Sequence, residues 1–415
     1  MGEVWYNRYK NGRDSVIKKV LISSVNHQGY GVARINNKVV FVENAITDDV
    51  VDIEIVKEYK KYALGEVVNF VSMSKEHITS ACPYYDKCGG CQISHITHKA
   101  QLDFKKEKMR NIFSRYLDME ISPKIISVNE YNYRNKVVFH IKDGKLGFYE
   151  DGTNKLIKID NCLLLDERIN NLIPLFNNLD LTYVEKIMVR VTSKEVMVVF
   201  YGFIDKIDVL KKYVSSIILV NIKEKLLYGK SYIKEEVNGL KFIISYNSFF
   251  QVNTKAMVRL YDKVLKYANL TKEDDVLDLF CGTGTIGIYL SMYCKSVLGV
   301  EIVEEAIKDA NINKELNNID NISFICGDVD RVINEKFNQN VLVVDPPRSG
   351  LNKNTKNVIL NNGFDRIVYV SCDPMTLVRD LKDLSSKYEF KEITLVDMFP
   401  NTYHVECVIL LQRKD

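Results

Sequence analysis

Two residues near the C-terminal end of the chain carry chemistry that neighbouring residues do not explain away. Cys372 follows a short apolar run and precedes a proline, in Ser371-Cys-Asp-Pro374, and Glu406 heads the last apolar run, in His404-Val-Glu-Cys407. A thiolate can add to an electron-poor double bond and a carboxylate can remove a proton, so together they hold the parts for covalent addition followed by elimination. Taken singly each has a plainer reading, the cysteine as a small buried hydrophobe and the glutamate as an edge residue. A second set is acidic and glycine-rich. Asp275-Val-Leu-Asp-Leu-Phe280 runs into Cys281-Gly-Thr-Gly-Thr-Ile-Gly287, and Glu301, Asp328 and Asp345 each close a later apolar run, the last opening Asp345-Pro-Pro-Arg348. A third set is Cys82, Cys88 and Cys91, spaced as Cys-x5-Cys-Gly-Gly-Cys, with Cys162 as a distant fourth thiol. Soft thiolates suit iron-sulfur or zinc, and His95 and His98 leave a Cys2His2 zinc site open as the alternative.

These residues need elements to bring them together. From about residue 249 onward strands alternate with helices, the pattern of an α/β fold with a doubly wound parallel sheet, in which ligands bind at the carboxyl edge of the strands. Gly282 and Gly284 permit a tight turn and a close backbone approach to a ligand. Their spacing also fits a dinucleotide fingerprint, and Glu301, placed to accept from both ribose hydroxyls, serves a nicotinamide or an adenosyl cofactor equally. Asp328 suits an adenine amino group. The stiff turn of Asp345-Pro-Pro suits a substrate base held against a methyl donor better than a nicotinamide ring. A strand at 366–370 delivers Cys372 to the same edge. A thiol, a carboxylate and an adenosyl crevice fit one chemistry: thiolate addition at C6 of uracil turns C5 into a nucleophile toward a sulfonium methyl, and Glu406 then removes the C5 proton so that the thiolate can leave.

The four segments 276–285, 345–348, 371–374 and 404–406 resemble, in residues, order and spacing, the RNA uracil-C5 methyltransferase family, and the resemblance covers nearly the whole chain. It implies a Rossmann-like class I methyltransferase domain, S-adenosyl-L-methionine as donor, Cys372 as nucleophile and Glu406 as general base. It also implies donor contacts at Gln251, Phe280, Glu301, Asp328 and Asp345 beside the glycine turn of Gly282 and Gly284, while Thr285 falls where some relatives carry Asn. Cys82, Cys88, Cys91 and Cys162 match ligands of a 4Fe-4S cluster, expected to be structural or RNA-ordering because methyl transfer moves no net electrons. Alternating runs at 16–22, 38–42, 50–56 and 65–71 read as strands of a small oligonucleotide-binding type of β-barrel, and resemble a TRAM domain. The barrel and cysteines together match family members acting on 23S ribosomal RNA, with transfer RNA as the alternative substrate. The expected organisation is a barrel at 1–74, a mixed α+β central domain at 75–244 with a charged helix at 97–117, and the methyltransferase domain at 245–415.

Composition narrows the remaining classes. The chain has 415 residues, 46% apolar and 27% charged, which supports more than one core and excludes a disordered or fibrous protein. The longest uncharged stretch, 279–294, is glycine-interrupted and too short to span a bilayer. No apolar leader is evident and Tyr6 breaks a myristoylation pattern, so a cytoplasmic location is expected, where nine cysteines serve metals or catalysis rather than disulfides. The net charge of +3 is nearly neutral, but 99–145 holds eleven Lys or Arg against six Asp or Glu. That segment, including Arg134 and Lys136, and the barrel are the expected RNA-backbone contacts. Competing readings are a noncatalytic RNA-binding protein and a methyltransferase acting on an exocyclic nitrogen, in which Cys372 would be idle.

Overall fold

The computed structural model describes residues 17–332 and 337–414, so Val16 at the expected start of the first strand, and Tyr6, lie outside the described residues. The chain begins with β1 (Ile17–Leu21), β2 (Ser24–Val25), β3 (Gly31–Ile35), β4 (Lys38–Val42), β5 (Val50–Glu58) and β6 (Tyr62–Ser72). After the cysteine loop come α1 (His98–Leu117), β7 (Lys124–Ile126), β8 (Lys136–Lys142), β9 (Lys145–Tyr149), β10 (Leu156–Lys158), α2 (Glu167–Asn170) and α3 (Ile173–Asn177). Then follow β11 (Val184–Val191), β12 (Val196–Gly202), β13 (Ser216–Val220), β14 (Glu224–Gly229), β15 (Tyr232–Val237) and β16 (Leu240–Ser245). The last part alternates: α4 (Thr254–Ala268), β17 (Asp275–Leu279), α5 (Thr285–Ser291), β18 (Ser296–Glu301), α6 (Glu304–Leu316), β19 (Ile322–Cys326), α7 (Val329–Val332), β20 (Val341–Val344), α8 (Lys353–Asn362), β21 (Arg366–Ser371), α9 (Pro374–Leu384), β22 (Tyr388–Val396) and β23 (Glu406–Arg413). No described helix is long and apolar enough to cross a membrane.

Compactness divides the chain into two units, each assembled from several segments. One comprises Met1–Lys108, Leu146–Cys162 and Phe399–Tyr403, the other Met109–Lys145, Leu163–Met398 and His404–Asp415. In the first unit six strands form one sheet in the order β1-β5-β6-β4-β3-β2. Its inward residues, among them Ala33, Val40, Val42, Val51 and Ile53, make a single apolar core, as the alternating sequence requires. The β3–β4 hairpin has a two-residue turn in which Asn36 and Asn37 both take positive φ, +49° and +65°. That is the geometry asparagine tolerates best after glycine, and its twist matches the flanking strands.

The second unit holds a five-strand run β8-β11-β12-β13-β14, the hairpin β15–β16, and an eight-stranded sheet ordered β19-β18-β17-β20-β21-β23-β22-β7. From β19 to β21 the strands are parallel; β23 runs antiparallel between β21 and β22. The parallel core strands are apolar along their whole length, Val341–Val344 being buried throughout, because helices cover both faces. Three of these helices, α4, α8 and α9, start at side-chain caps. Asn253 accepts from the Ala256 N–H at 3.1 Å to open α4, Asn352 accepts from Thr355 N–H at 2.9 Å to open α8, and Asp373 accepts from Met375 and Thr376 N–H at 2.9 Å each to open α9, with Pro374 at its first position.

Candidate active site

Register brings the candidate residues to one edge of the eight-stranded sheet. Leu279 is level with Val300 on β18 and Val344 on β20, and Val344 with Tyr369 on β21, so Phe280, Glu301 and Asp345 leave adjacent strands together. Ser371 pairs with Cys407 on the antiparallel β23. The residue after β21, Cys372, and the first residue of β23, Glu406, are therefore neighbours at the same edge. Asp328 stands two residues beyond the end of β19, in the turn before α7, where the preceding Gly327 N–H donates to Glu301 O at 2.9 Å.

The turn after β17 is built by backbone conformations that side chains resist. Phe280, Gly282 and Gly284 all lie in the left-handed region, at φ +63°, +55° and +76°. For a phenylalanine this costs on the order of 1–3 kcal/mol, a strain typical of functional turns. At Gly284 a Cβ would come within 2.6 Å of the Phe324 ring, whereas at Gly282 it would project into open space where a ligand can approach the backbone. Gly282 N–H donates to Glu301 Oε2 at 3.2 Å, and Glu301 Oε1 accepts from Ile302 and Val303 N–H at 2.9 Å each. Beneath the turn Asp278 is buried; a Cβ on Gly287 would lie 2.9 Å from its Oδ2, so that glycine makes room for the acid. Burial first, then the negative charges of Asp345 and Glu301, push Asp278 up to about 8, which the Gly287 N–H only partly offsets. Burial likewise lifts Asp345 to about 6. Gln251 is buried, and its backbone carbonyl accepts from Asn135 Nδ2 at 3.0 Å. An open glycine cradle with an acid at the ribose position and further carboxylates around it fits a cationic adenosyl donor, because a positive charge would favour the ionised form of each acid.

At the reactive end Cys372 is half-buried and Glu406 is buried. Burial pushes the Cys372 thiol up to about 11, the carboxyl groups of Glu406 and Asp345 adding to the effect while Arg348 opposes it. Burial and then Asp345 raise Glu406 to about 8, again opposed by Arg348. Ser371 Oγ donates to Asp373 O at 3.1 Å and accepts from Asp373 N–H at 3.2 Å, which fixes the bend carrying Cys372. Thr376 Oγ1 donates to Arg348 O at 3.1 Å, tying the Asp345-Pro-Pro-Arg348 turn to the start of α9. Asp380, buried on α9, accepts from Leu351 N–H at 2.7 Å and from Tyr369 OH at 2.9 Å, anchoring the same loop from below. Asp278 and Asp380 escape sequence reasoning. The available signals are an acid interrupting the apolar run 275–279 and an acid on the apolar stripe of α9 beside Leu377 and Leu381.

The cysteine loop belongs to the first unit. Tyr84 OH donates to Asp160 Oδ2 at 3.3 Å and accepts from Asp160 N–H at 3.0 Å, which holds the segment of Cys162 to that of Cys82 and Cys88. Cys88 and Cys91 line a small cavity of about 40 Å³ with Tyr30, Tyr85 and Asp86. Among the described residues no group of three His, Cys, Asp or Glu side chains is arranged to hold a metal ion. Burial raises the Cys88 thiol. His95 is buried, its Nδ1 is 2.6 Å from Tyr85 OH, and burial holds it down to about 3.

This strand order, with its glycine turn and acid-ended strands, defines a class I S-adenosyl-L-methionine-dependent methyltransferase. Residues 204–414 match the tRNA (Uracil-5-)-methyltransferase family and residues 17–68 the TRAM domain. The chain belongs to that family and is an S-adenosyl-L-methionine-dependent RNA uracil-C5 methyltransferase. It is 35% identical over 446 residues to a Staphylococcus epidermidis protein described as an uncharacterized RNA methyltransferase, covering 96% of this chain and 98% of that one. A Clostridium tetani protein of the same description is 36% identical over 451 residues, with 96% and 98% covered. Among solved structures the chain is similar to Pyrococcus abyssi tRNA (uracil-54, C5)-methyltransferase in complex with S-adenosyl-L-homocysteine, at 28% identity and a TM-score of 0.78, over 95% of this chain and 99% of that one.

Proposed function

We propose that the protein methylates C5 of a uridine in 23S ribosomal RNA in the cytoplasm, with Cys372 as nucleophile and Glu406 as general base. The observation that carries the mechanism is the pairing of Ser371 with Cys407, which makes the thiol and the carboxylate neighbours at the mouth of the donor crevice. Gln251, Phe280, Gly282, Gly284, Glu301, Asp328 and Asp345 would hold S-adenosyl-L-methionine. That donor supplies a methyl group on a cationic sulfur. Cys372, as the thiolate once its proton has passed to solvent, adds to C6 of a uracil turned out of its stack, and the C5–C6 π pair shifts to give an enolate whose C5 is electron-rich. Arg348, whose charge opposes the rise of both groups, favours the thiolate needed for addition and the carboxylate needed afterwards. Once C5 bears its methyl, Glu406 takes the C5 proton and the Cys372 thiolate leaves.

The ribosomal assignment rests on the combination of the TRAM domain with the cysteine set, whose soft donors Cys82, Cys88, Cys91 and Cys162 all belong to one unit and would ligate a 4Fe-4S cluster. No step of the reaction runs through that cluster. Anaerobically purified protein should carry about four iron and four acid-labile sulfide; iron at trace level would remove this part of the proposal. Transfer RNA is the second reading, favoured by the similarity to the Pyrococcus abyssi enzyme. Mass spectrometry of ribosomal and transfer RNA from a strain lacking the gene, treated with the protein and methyl-labelled donor, distinguishes them. Label as 5-methyluridine in 23S RNA is the expected result, and label confined to transfer RNA would replace it.

A further inference from the structure

The sheet containing β8 and β11 carries a pair of cations, one of them the Lys136 already expected to meet RNA, that take no part in the methyl transfer itself. Lys136 and Arg190 are directly opposed partners in the antiparallel ladder. Like charges in that position repel, and sheets normally avoid them. Arg190 is only 2% exposed; its Nη1 donates to Ser245 O at 3.4 Å, while Nε and Nη2 are buried with no acceptor. A guanidinium removed from water with unpaired N–H groups is among the costliest features a fold can keep. Among the described residues no carboxylate forms an ion pair with either side chain. Burial holds Arg190 down to about 10, and burial together with Arg190 and Arg134 holds Lys136 down to about 8.

The pair is joined at two points to the loop 246–253. Arg190 reaches Ser245 at the loop's start, and Asn135, adjacent to Lys136, donates from its N–H to Val252 O at 2.8 Å and from Nδ2 to Gln251 O and Thr254 Oγ1 at 3.0 Å each. The loop carries Phe249, 68% exposed, and ends at the cap of α4, which packs on β21 and β23; Cys372 follows the first of these strands and Glu406 opens the second. Cations kept unbalanced beside the loop that feeds the active site call for an anion supplied by the substrate. A phosphodiester, with one negative charge shared over two non-bridging oxygens, offers acceptors to an ammonium backed by a guanidinium.

We propose that Lys136 and Arg190 bind a backbone phosphate of the RNA substrate beside loop 246–253, Lys136 meeting the phosphate directly and Arg190 supplying the charge beneath it. The proposal rests on RNA being the substrate and deepens that reading by naming where the strand is gripped. Its test reads binding rather than methylation. A fluorescently labelled, uridine-containing stem-loop RNA is titrated into the full-length protein and its Lys136→Gln and Arg190→Met variants at several salt concentrations, and S-adenosyl-L-methionine affinity is measured calorimetrically. Each variant should bind the RNA about 5–10-fold more weakly, and Lys136→Gln should make the log-affinity against log-salt slope shallower by about 0.7–0.9, with donor affinity unchanged. Arg190→Met should melt at or above the wild-type temperature, because an apolar side chain replaces an unpaired buried charge. Unchanged RNA affinity and slope in Lys136→Gln would overturn the site, and so would a matching loss of donor affinity, which would mean that the cations serve the donor carboxylate. Lys136→Gln decides the matter if Arg190→Met fails to fold. Wild-type protein that binds the RNA but does not methylate it would sink the proposed reaction and leave this site standing.

Discussion

Burial makes both Cys372 and Glu406 harder to ionise, and the Glu406 carboxylate adds to the effect on the thiol while Asp345 adds to it on both. The sign of the stability effect follows for Glu406. Its carboxyl titrates near 8 in the folded protein against an ordinary 4.5, so the folded state keeps a proton that the unfolded chain loses. The stability from that bound proton is complete below about 4.5 and declines as pH rises toward 8. Glu406→Gln should consequently stabilise the protein little at pH 5 and by an amount on the order of a few kcal/mol at pH 8. Denaturant melts at the two pH values check this, and an equal gain at both would contradict the burial argument. The same variant should accumulate a covalent RNA adduct, visible as a slow band in a denaturing gel, because addition proceeds and elimination stalls. Cys372→Ala should form no adduct with 5-fluorouridine RNA and lose at least about 10³-fold in methylation rate.

At the scale of single elements, the turn between β17 and α5 shows where local sequence dictates structure and where it does not. Gly284 faces two penalties on substitution, a positive φ and a 2.6 Å clash with Phe324. Gly284→Ala should destabilise the fold by roughly 1–3 kcal/mol and weaken donor binding, measured by denaturant melts and calorimetry. A stability equal to wild type would mean the turn can relax without cost. The strand ends were legible because apolar runs stop at an acid, and the start of α9 because aspartate and proline occupy its first positions. The left-handed Phe280 was not legible, since no local rule places a bulky aromatic there and only the assembled sheet and its turn enforce it. Asp278 was hidden for a related reason: the burial of an acid depends on Gly287, nine residues away in sequence and adjacent only after folding. The cysteine loop is legible only as spacing, which signals soft metal ligands but fixes neither the direction of the thiols nor their convergence.

For the molecule as a whole, the chain passes between its two compact units at residues 108, 145, 162, 398 and 403, and a reading in consecutive segments cannot find such units because their members become neighbours only through packing. Charge has the same character. A net +3 gives little long-range attraction to RNA, so affinity must come from local clusters, and each unit carries one. In the first, the β5–β6 turn presents exposed Lys60 and Lys61 between Tyr59 and Tyr62, whose rings stack at 4.5 Å with Lys57 over Tyr59 at 5.1 Å, a combination suited to single-stranded nucleic acid. In the second lies the Lys136–Arg190 pair. If both clusters grip one RNA through separate phosphates, their contributions should add. Replacing Lys60 and Lys61 by alanine should lower RNA affinity and flatten the salt slope by about 1.5–2, Lys136→Gln by a little under 1, and the triple variant by the sum, with binding free energies additive within about 0.5 kcal/mol. Anisotropy titrations across a salt series measure all of these at once. A barrel variant with an unchanged slope would take the TRAM domain off the RNA, and strong non-additivity would mean that the two clusters compete for the same phosphates.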